Sequence, residues 1–353
     1  MALWTGTQPW TDGTRNDRPR LIEDAQGQVW PAQDELVEGT RAREDAAAAE
    51  LLNVSYDVAR EVYKDVNPAF AATPAGAGIT IKQSHDGSAK QARAVIDGLP
   101  ADVVTMNSAL DVEHIAKAGL IAADWATRLP HRGSPSYSAH LLVVRAGNPK
   151  GIKDWGDLAK PGIQIVMVNP KTGANGKYTY LAALAWAKRQ PGATEDSAKA
   201  FIRQVFANVL SLEKGGRAAT TTFAQRGLGD VLITFESEVF RIEQEFPGKV
   251  QRVVPSVSVR ADNPVAWVDA NVAKKGTAAA AKAYLEFLYT APAQEIFAKN
   301  FIRPTDEAVL AKHAATFATL DLVTVEDFFG GWAAVQKVHF DDGGWFDQAY
   351  QPK

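Results

Sequence analysis

From Leu51 onward, short apolar runs alternate with turns of small residues and with segments of helical periodicity. Residues 51–56, 79–83 and 102–106 are typical of buried strands, and each is followed by a helical pattern. Strands that alternate with helices at this spacing favour a parallel sheet, because each helix returns the chain to the same edge. The alternation therefore predicts an α/β fold.

The same pattern occurs a second time further along the chain. Residues 140–145, 163–168 and 229–234 indicate further strands, and residues 197–209 indicate a helix. Helical patterns fill most of the chain after residue 273. Two blocks of this kind predict two lobes with a cleft between them, which is where open α/β sheets bind their ligands.

The predicted division assigns residues 51–139 and 255–353 to lobe I and residues 140–254 to lobe II, with a two-strand hinge between them. Residues 1–50 form an N-terminal appendage that is disordered or forms one helix, over residues 33–51. This appendage lacks the basic start and the apolar core of a secretory leader. No signal peptide is therefore visible in the sequence.

Composition excludes several classes of function. The chain has 353 residues and balances 38 basic against 41 acidic residues, so no basic surface argues for a nucleic-acid partner. It contains no cysteine, which excludes disulfides and thiolate metal ligands. The six histidines have no metal-ligand spacing, so we expect no metal and no cofactor. No apolar run is long enough to span a membrane.

Small or polar residues mark four predicted helix starts. These are Asp57, the Gly87-Ser88 pair, residues 173–175 and residues 215–216. Such residues commonly cap helices, which is the ordinary interpretation of each turn taken alone. A helix start also carries unpaired N–H groups and a partial positive charge. Several starts that meet at one point form an anion site without any Lys or Arg.

The sequence resembles the periplasmic sulfate-binding proteins of ABC transporters over about residues 51–347. The segments that carry the resemblance are LLNVSYD (51–57), QSHDGSAKQ (83–91), ADVVT (101–105), NPKT (169–172), RGLGDVLI (226–233), RP (303–304) and FGGW (329–332). The resemblance implies the two-lobed type II periplasmic binding protein fold and a receptor without enzymatic activity. It also implies a periplasmic location, a membrane permease as partner and a monomeric state.

In that family, neutral donors hold a dehydrated sulfate, and most of them are backbone N–H groups at helix starts. Asp57 and Ser88 match the family's donors in lobe I. In lobe II, the donors Ser-Gly-Gly align with Gly173, Ala174 and Asn175. The resemblance therefore implies a ligand-binding site for sulfate or thiosulfate. The remaining site residues are Gly216, which aligns with the family's alanine donor, and Phe235, which aligns with its tryptophan.

Two of these positions lose a side-chain donor, since Gly173 has no hydroxyl and Phe235 has no N–H. An unpaired acceptor on a buried anion costs about 1–3 kcal/mol. The two losses together would weaken sulfate binding by about two to four decades unless another group compensates. The amide of Asn175 is one such group.

Alternatives stay open at this stage. The first is a receptor of the same fold for molybdate, phosphate, a phosphonate or a sulfonate. Phe235 makes one wall of the expected site less bulky or less polar than the family's tryptophan does. Asp86 stands where the family commonly has glycine, and it would accept a hydrogen bond from a protonated oxyanion. The second is an enzyme or a signalling protein with a vestigial pocket. Ser88, His85 and Asp86 crowd one turn, without the Gly-x-Ser-x-Gly elbow of a hydrolase.

Overall fold

The computed structural model describes residues 49–350 and the backbone of two short segments before them. These segments, Leu21–Glu23 and Val29–Pro31, are strands β1 and β2, and they pair antiparallel. The chain divides into two compact units, Met1–Ala48 and Ala49–Lys353. The second unit contains all the elements that follow.

The second unit is built from strands and helices that alternate along the chain. The strands are β3 Glu50–Tyr56, β4 Thr80–Asp86, β5 Val103–Thr105, β6 Ser136–Ser138, β7 His140–Arg145, β8 Ile165–Val168, β9 Val209–Glu213, β10 Val231–Phe235, β11 Val250–Val253, β12 Ser258–Val259, β13 Ala261–Asp262, β14 Val265–Trp267, β15 Arg303–Pro304 and β16 Leu322–Val323. The α-helices are α1 Arg60–Ala71, α2 Ser88–Ile96, α3 Ala109–Lys117, α4 Ala174–Lys188, α5 Glu195–Ala207, α6 Gly216–Thr220, α7 Glu236–Glu245, α8 Asp269–Lys275, α9 Ala278–Phe287, α10 Ala291–Lys299, α11 Glu307–Lys312, α12 Val325–Phe329, α13 Trp332–Val335 and α14 Trp345–Ala349. Short 3₁₀ turns occupy Asp57–Ala59, Trp125–Thr127 and Trp155–Ala159, and π turns occupy Thr221–Gln225 and Gln336–Phe340.

The first of the two larger sheets has four strands in the order β14-β5-β3-β4. β3 lies between β4 and β5 and runs parallel to both. Its side chains alternate between two apolar clusters. Leu51 packs in the cluster that contains Phe70 of α1, and Val54 in the one that contains Val95 of α2. The alternation buries both faces of the sheet under helices, as expected for parallel strands.

The second sheet has five strands in the order β11-β7-β10-β8-β9. β8 runs parallel to its neighbours β9 and β10. Ile165 of β8 packs in the cluster of Leu184 from α4, whereas Val166 packs in the cluster of Phe223. This sheet is therefore also covered on both faces.

Each of the two sheets combines the predicted parallel strands with antiparallel ones that the sequence pattern did not indicate. β14 pairs antiparallel with β5, and β7 pairs antiparallel with both β10 and β11. The reason is the route of the chain. β7 follows β6 almost directly, so no crossover helix intervenes to return the chain to the same edge before it enters the second sheet.

Some element limits also differ from the prediction. The predicted helix over residues 197–209 ends at Ala207, and Val209 begins edge strand β9. Residues 84–86, predicted as a turn, continue strand β4 to Asp86. The helix predicted over residues 33–51 lies outside the described residues except at its end, where β3 begins.

The strands of the second sheet all come from residues 140–253, whereas those of the first come from residues 50–105 and 265–267. The lobe limits themselves, 51–139 with 255–353 and 140–254, stay a prediction.

A buried ion pair joins the beginning of α7 to strand β15. Arg303 donates from Nε and Nη2 to the two carboxylate oxygens of Glu236, at 2.7 and 2.9 Å. Both side chains are almost fully buried. The same guanidinium donates to the carbonyl oxygen of Ala318. Two parallel hydrogen bonds join the two charges in a site that is almost closed to solvent.

We predict that Glu236→Gln lowers the free energy of unfolding by about 3–5 kcal/mol, because it leaves the guanidinium of Arg303 buried without a counter-charge. Urea unfolding monitored by circular dichroism measures this change. Glu286→Gln is the matched control, since its partner Lys282 and Glu286 itself are exposed and such pairs contribute less than about 1 kcal/mol. Equal effects of the two substitutions would contradict the prediction.

Candidate functional site

All seven residues predicted to bind a ligand line one cavity of about 590 Å³. They are Asp57, Ser88, Gly173, Ala174, Asn175, Gly216 and Phe235. The cavity lies where helices begin after β3, β4, β8 and β9, and the last residue of β10, Phe235, also lines it. A larger cavity of about 780 Å³ lies at edge strand β9, beside Tyr350, and contains none of these residues. The first cavity is therefore the candidate site.

Helix starts supply the hydrogen-bond donors of the cavity. The 3₁₀ turn at Asp57, α2, α4 and α6 all begin at its wall. At none of these starts does the N-cap side chain bond to the helix. Thr194 and Asp306, in contrast, cap helices elsewhere with their side chains. The first N–H groups of the four helices thus stay available to an anion.

Glycine is required where α4 begins. A Cβ atom at Gly176 would lie 2.3 Å from the carbonyl oxygen of Val168, and one at Gly173 would lie 2.9 Å from a methyl group of the same valine. The close approach of β8 to the helix start excludes larger side chains. This explains why the turn between them is rich in glycine.

The hydroxyl group of Ser88 is already engaged. It donates to a carboxylate oxygen of Asp111 at 2.5 Å, and both side chains are buried. Burial raises the pKa of the Asp111 carboxyl. Because Asp111, which does not line the cavity, takes this hydroxyl proton, Ser88 offers its backbone N–H at the start of α2.

Asn175 belongs to a buried hydrogen-bond network that includes His140 and Thr234. Its Oδ1 atom lies 3.1 Å from Nε2 of His140, and its Nδ2 atom donates to the hydroxyl of Thr234 at 3.0 Å. His140 and Thr234 are fully buried. The ring of His140 also packs against Phe235, with ring centroids 4.6 Å apart. The side wall of the cavity and the Asn175 amide therefore depend on the same histidine.

Sequence reasoning missed His140 as a functional residue. Its only signal was a polar residue in the otherwise apolar run at 140–144. Reasoning also missed the cavity-lining Asn107, whose Oδ1 has no hydrogen-bond partner among the described residues.

Three basic side chains also line the cavity and were missed, namely Lys90, Lys214 and Arg217. Lys90 pairs with Asp86, which also accepts from the N–H of Gly87 at 2.8 Å. The hydrogen bond from Lys90 is the main reason that the pKa of Asp86 lies below its usual value. The carboxylate is therefore charged and paired at neutral pH, so it does not present a free negative charge to an anion.

Nothing in the described part of the chain points to a metal centre. Residues 49–350 contain no group of three or more histidine and carboxylate side chains placed to hold an ion. Tyr178 and Tyr180 are buried, against Trp332 and His339 respectively. Among the described helices, none combines the length and the apolar character needed to cross a bilayer.

Acid should destabilise the protein through His140. Burial lowers the pKa of this imidazole from 6.5 to about 4, so the unfolded chain binds the extra proton more readily than the folded one. The stabilisation is complete above about pH 6.5 and is lost as the pH falls towards 4.

We predict that His140→Phe reduces the loss of unfolding free energy between pH 7 and pH 4.5 by about 2–3 kcal/mol. Urea titrations at the two pH values measure it. A residual dependence should persist, since burial also lowers the pKa of His339 to about 4. An unchanged difference between the two pH values in the variant would contradict the assignment.

Comparisons with known proteins agree with the geometry. A family model described as bacterial extracellular solute-binding protein matches residues 51–303. The thiosulfate-binding protein of Pseudomonas aeruginosa is 52% identical over 311 residues, which cover 87% of this chain and 93% of that protein. The sulfate-binding protein of Salmonella typhimurium is 46% identical over 303 residues, which cover 85% and 92% of the two chains.

The solved structure of the sulfate-binding protein SubI from Mycobacterium tuberculosis matches with a TM-score of 0.76 at 35% identity, over 83% of this chain and 100% of that one. The predicted α/β periplasmic binding protein fold is thereby confirmed. The relatives are binding proteins, which confirms the expectation of a non-enzymatic function. The chain belongs to the sulfate- and thiosulfate-binding proteins, within the bacterial extracellular solute-binding proteins.

Proposed function

We propose that this protein is the receptor of an ABC importer and captures sulfate or thiosulfate in the cavity that the four helix starts surround. The observation that carries the proposal is the meeting of these uncapped helix starts, from both sheets, at one cavity. The periplasm is the proposed location, and a membrane permease is the proposed acceptor of the ligand. The relatives of matching length support this assignment.

The donor set favours an oxyanion that carries no proton. Backbone N–H groups at Asp57, Ser88, Ala174 and Gly216 donate hydrogen bonds and accept none. A protonated oxyanion also needs an acceptor inside the cavity. The carboxylate of Asp86 is engaged by Lys90 and Gly87, and Oδ1 of Asn107 is an acceptor without a partner among the described residues. Because backbone donors from four helix starts outnumber this one acceptor, fully ionised sulfate and thiosulfate match the cavity better than hydrogen phosphate.

Phe235 bears on the choice between the two ions. Where the family has the N–H group of a tryptophan, Phe235 presents an apolar ring. This ring is buried and packs against His140. The terminal sulfur of thiosulfate is larger and more weakly hydrated than an oxygen, so it loses less on contact with an aromatic ring. This contact favours thiosulfate over sulfate. Molybdate and a sulfonate remain the competing ligands of the same site.

Contacts across the cavity support capture by closure of the two halves. Arg241 of α7 donates to the carbonyl oxygen of Val58 at 3.2 Å. Arg217 of α6 lies 3.9 Å from the carboxylate of Glu61 on α1. These contacts join elements that follow a strand of the first sheet to helices that follow strands of the second. Closure around an anion adds the donors of the second half to those of the first.

We predict that thiosulfate or sulfate raises the melting temperature more than molybdate, phosphate or a small sulfonate at the same concentration. A ligand that binds the folded state, at about 1,000 times its Kd, stabilises it by about 4 kcal/mol. For a chain of this size the shift is about 5–6 °C. Differential scanning fluorimetry with each anion measures it. The absence of a shift with every anion would overturn the proposed function.

The basic side chains at the cavity should act on the rate of binding. A positive rim attracts a dianion over a distance set by the ionic strength. We predict that Lys214→Gln lowers the association rate by about two- to threefold at low salt and leaves the dissociation rate unchanged. Stopped-flow fluorescence measures both. Lys282→Gln is the exposed control outside the cavity, and an equal effect of this control would contradict steering by the rim.

A further inference from the structure

The network behind the cavity assigns a proton to one nitrogen of His140. Nδ1 of this ring is buried and has no hydrogen-bond partner among the described residues, whereas Nε2 lies 3.1 Å from Oδ1 of Asn175. An unpaired buried N–H costs more than an unpaired lone pair, because the N–H loses a strong hydrogen bond to water. The proton therefore lies on Nε2, and the ring donates to Oδ1.

This assignment fixes the orientation of the Asn175 amide. With Oδ1 accepting from His140, the nitrogen lies on the other side and donates one of its two N–H groups to Thr234 at 3.0 Å. The reverse orientation would place the amide nitrogen against Nε2 and force the ring proton onto the unpartnered Nδ1. It would also place the amide oxygen, rather than the nitrogen, next to the hydroxyl of Thr234.

The second N–H of the amide lies beside the cavity donors. Nδ2 of Asn175 lies near the start of α6, since a Cβ atom at Gly216 would be 3.6 Å from it. Asn175 itself lines the cavity and is 6% exposed. The amide nitrogen therefore lies between the helix starts of α4 and α6, with one hydrogen not used by Thr234.

We infer that His140 is a positioning residue for ligand specificity, which holds the Asn175 amide so that its free N–H donates to the bound oxyanion. This inference rests on the proposed function of the cavity. The Asn175 amide thus supplies a side-chain donor at a site where the two positions that carry side-chain donors in the family, Gly173 and Phe235, have none. His140 has no contact with the ligand and acts through Asn175.

A double-mutant cycle on Kd, measured by isothermal titration calorimetry with sulfate and with thiosulfate, tests the inference. Asn175→Ala should weaken binding about 10- to 100-fold, the usual effect of losing one hydrogen bond to an anion. His140→Phe keeps the ring against Phe235 but removes the donor, and should weaken binding several-fold. In the Asn175→Ala background, His140→Phe should cause no further loss.

Two further variants separate positioning from packing. His140→Gln retains an N–H donor and should recover part of the lost affinity. His339→Phe is the matched control, because His339 is also a buried histidine with one hydrogen bond, to Tyr180, and does not line the cavity. It should leave Kd unchanged.

The outcomes are distinct. If the wild-type protein binds no anion in the panel, the proposed function and this inference both fall. If the wild-type protein binds an anion, two results overturn the inference alone. One is that the effects of Asn175→Ala and His140→Phe on Kd multiply in the double variant, and the other is that Asn175→Ala leaves Kd unchanged. Two-bond ¹H–¹⁵N spectra of the unliganded wild-type protein provide a test that needs no variant. They should show the proton of His140 on Nε2, and a proton on Nδ1 would overturn the inference.

Discussion

An ion such as sulfate loses its hydration when it enters a closed cavity, and only fixed N–H groups can replace that water without adding a full positive charge. Most of this structure follows from that requirement. The strands β3, β4, β8 and β9 are followed by helix starts that meet at one cavity and turn their free N–H groups towards it. Gly173 and Gly176 allow α4 to begin directly against Val168 of β8. The donors are therefore positioned by the sheets before any ligand arrives.

Strand β10 shows how donors, wall and framework depend on one another. Its last two residues, Thr234 and Phe235, accept from Asn175 and form the apolar wall, respectively, and the next residue, Glu236 at the beginning of α7, pairs with Arg303. A shift of the strand by a single residue would exchange these roles, since neighbouring side chains point to opposite faces. The buried ion pair with Arg303 resists such a shift, because any displacement separates two charges that have no access to water.

The sequence predicted the parts of the fold and of the site that depend on local pattern. Most strands with apolar alternation were located correctly, whereas residues 84–86, predicted as a turn, continue strand β4. Asp57, Ser88 and Gly216 line one cavity, and their role in binding stays a prediction. Edge strand β9 was missed because its residues are partly exposed and continue a helical pattern. The antiparallel strands follow from the route of the chain between the sheets, which no local pattern encodes. His140 was missed because its partner Asn175 lies 35 residues away in sequence.

The charged side chains at the rim of the cavity act on the rate of binding, whereas the neutral N–H groups inside it act on the choice of ligand. Lys214 and Arg217 line the cavity, and Arg217 is about half exposed. Water and salt screen the attraction between such exposed charges and a bound anion, so these side chains contribute little to affinity. They still attract a dianion from solution. Inside, neutral N–H groups discriminate by direction, since they bind an acceptor and reject a proton. A full positive charge in contact with the anion would attract any oxyanion and would favour the dianion only through its larger charge, whereas the directed donors of this cavity favour ligand atoms that accept hydrogen bonds.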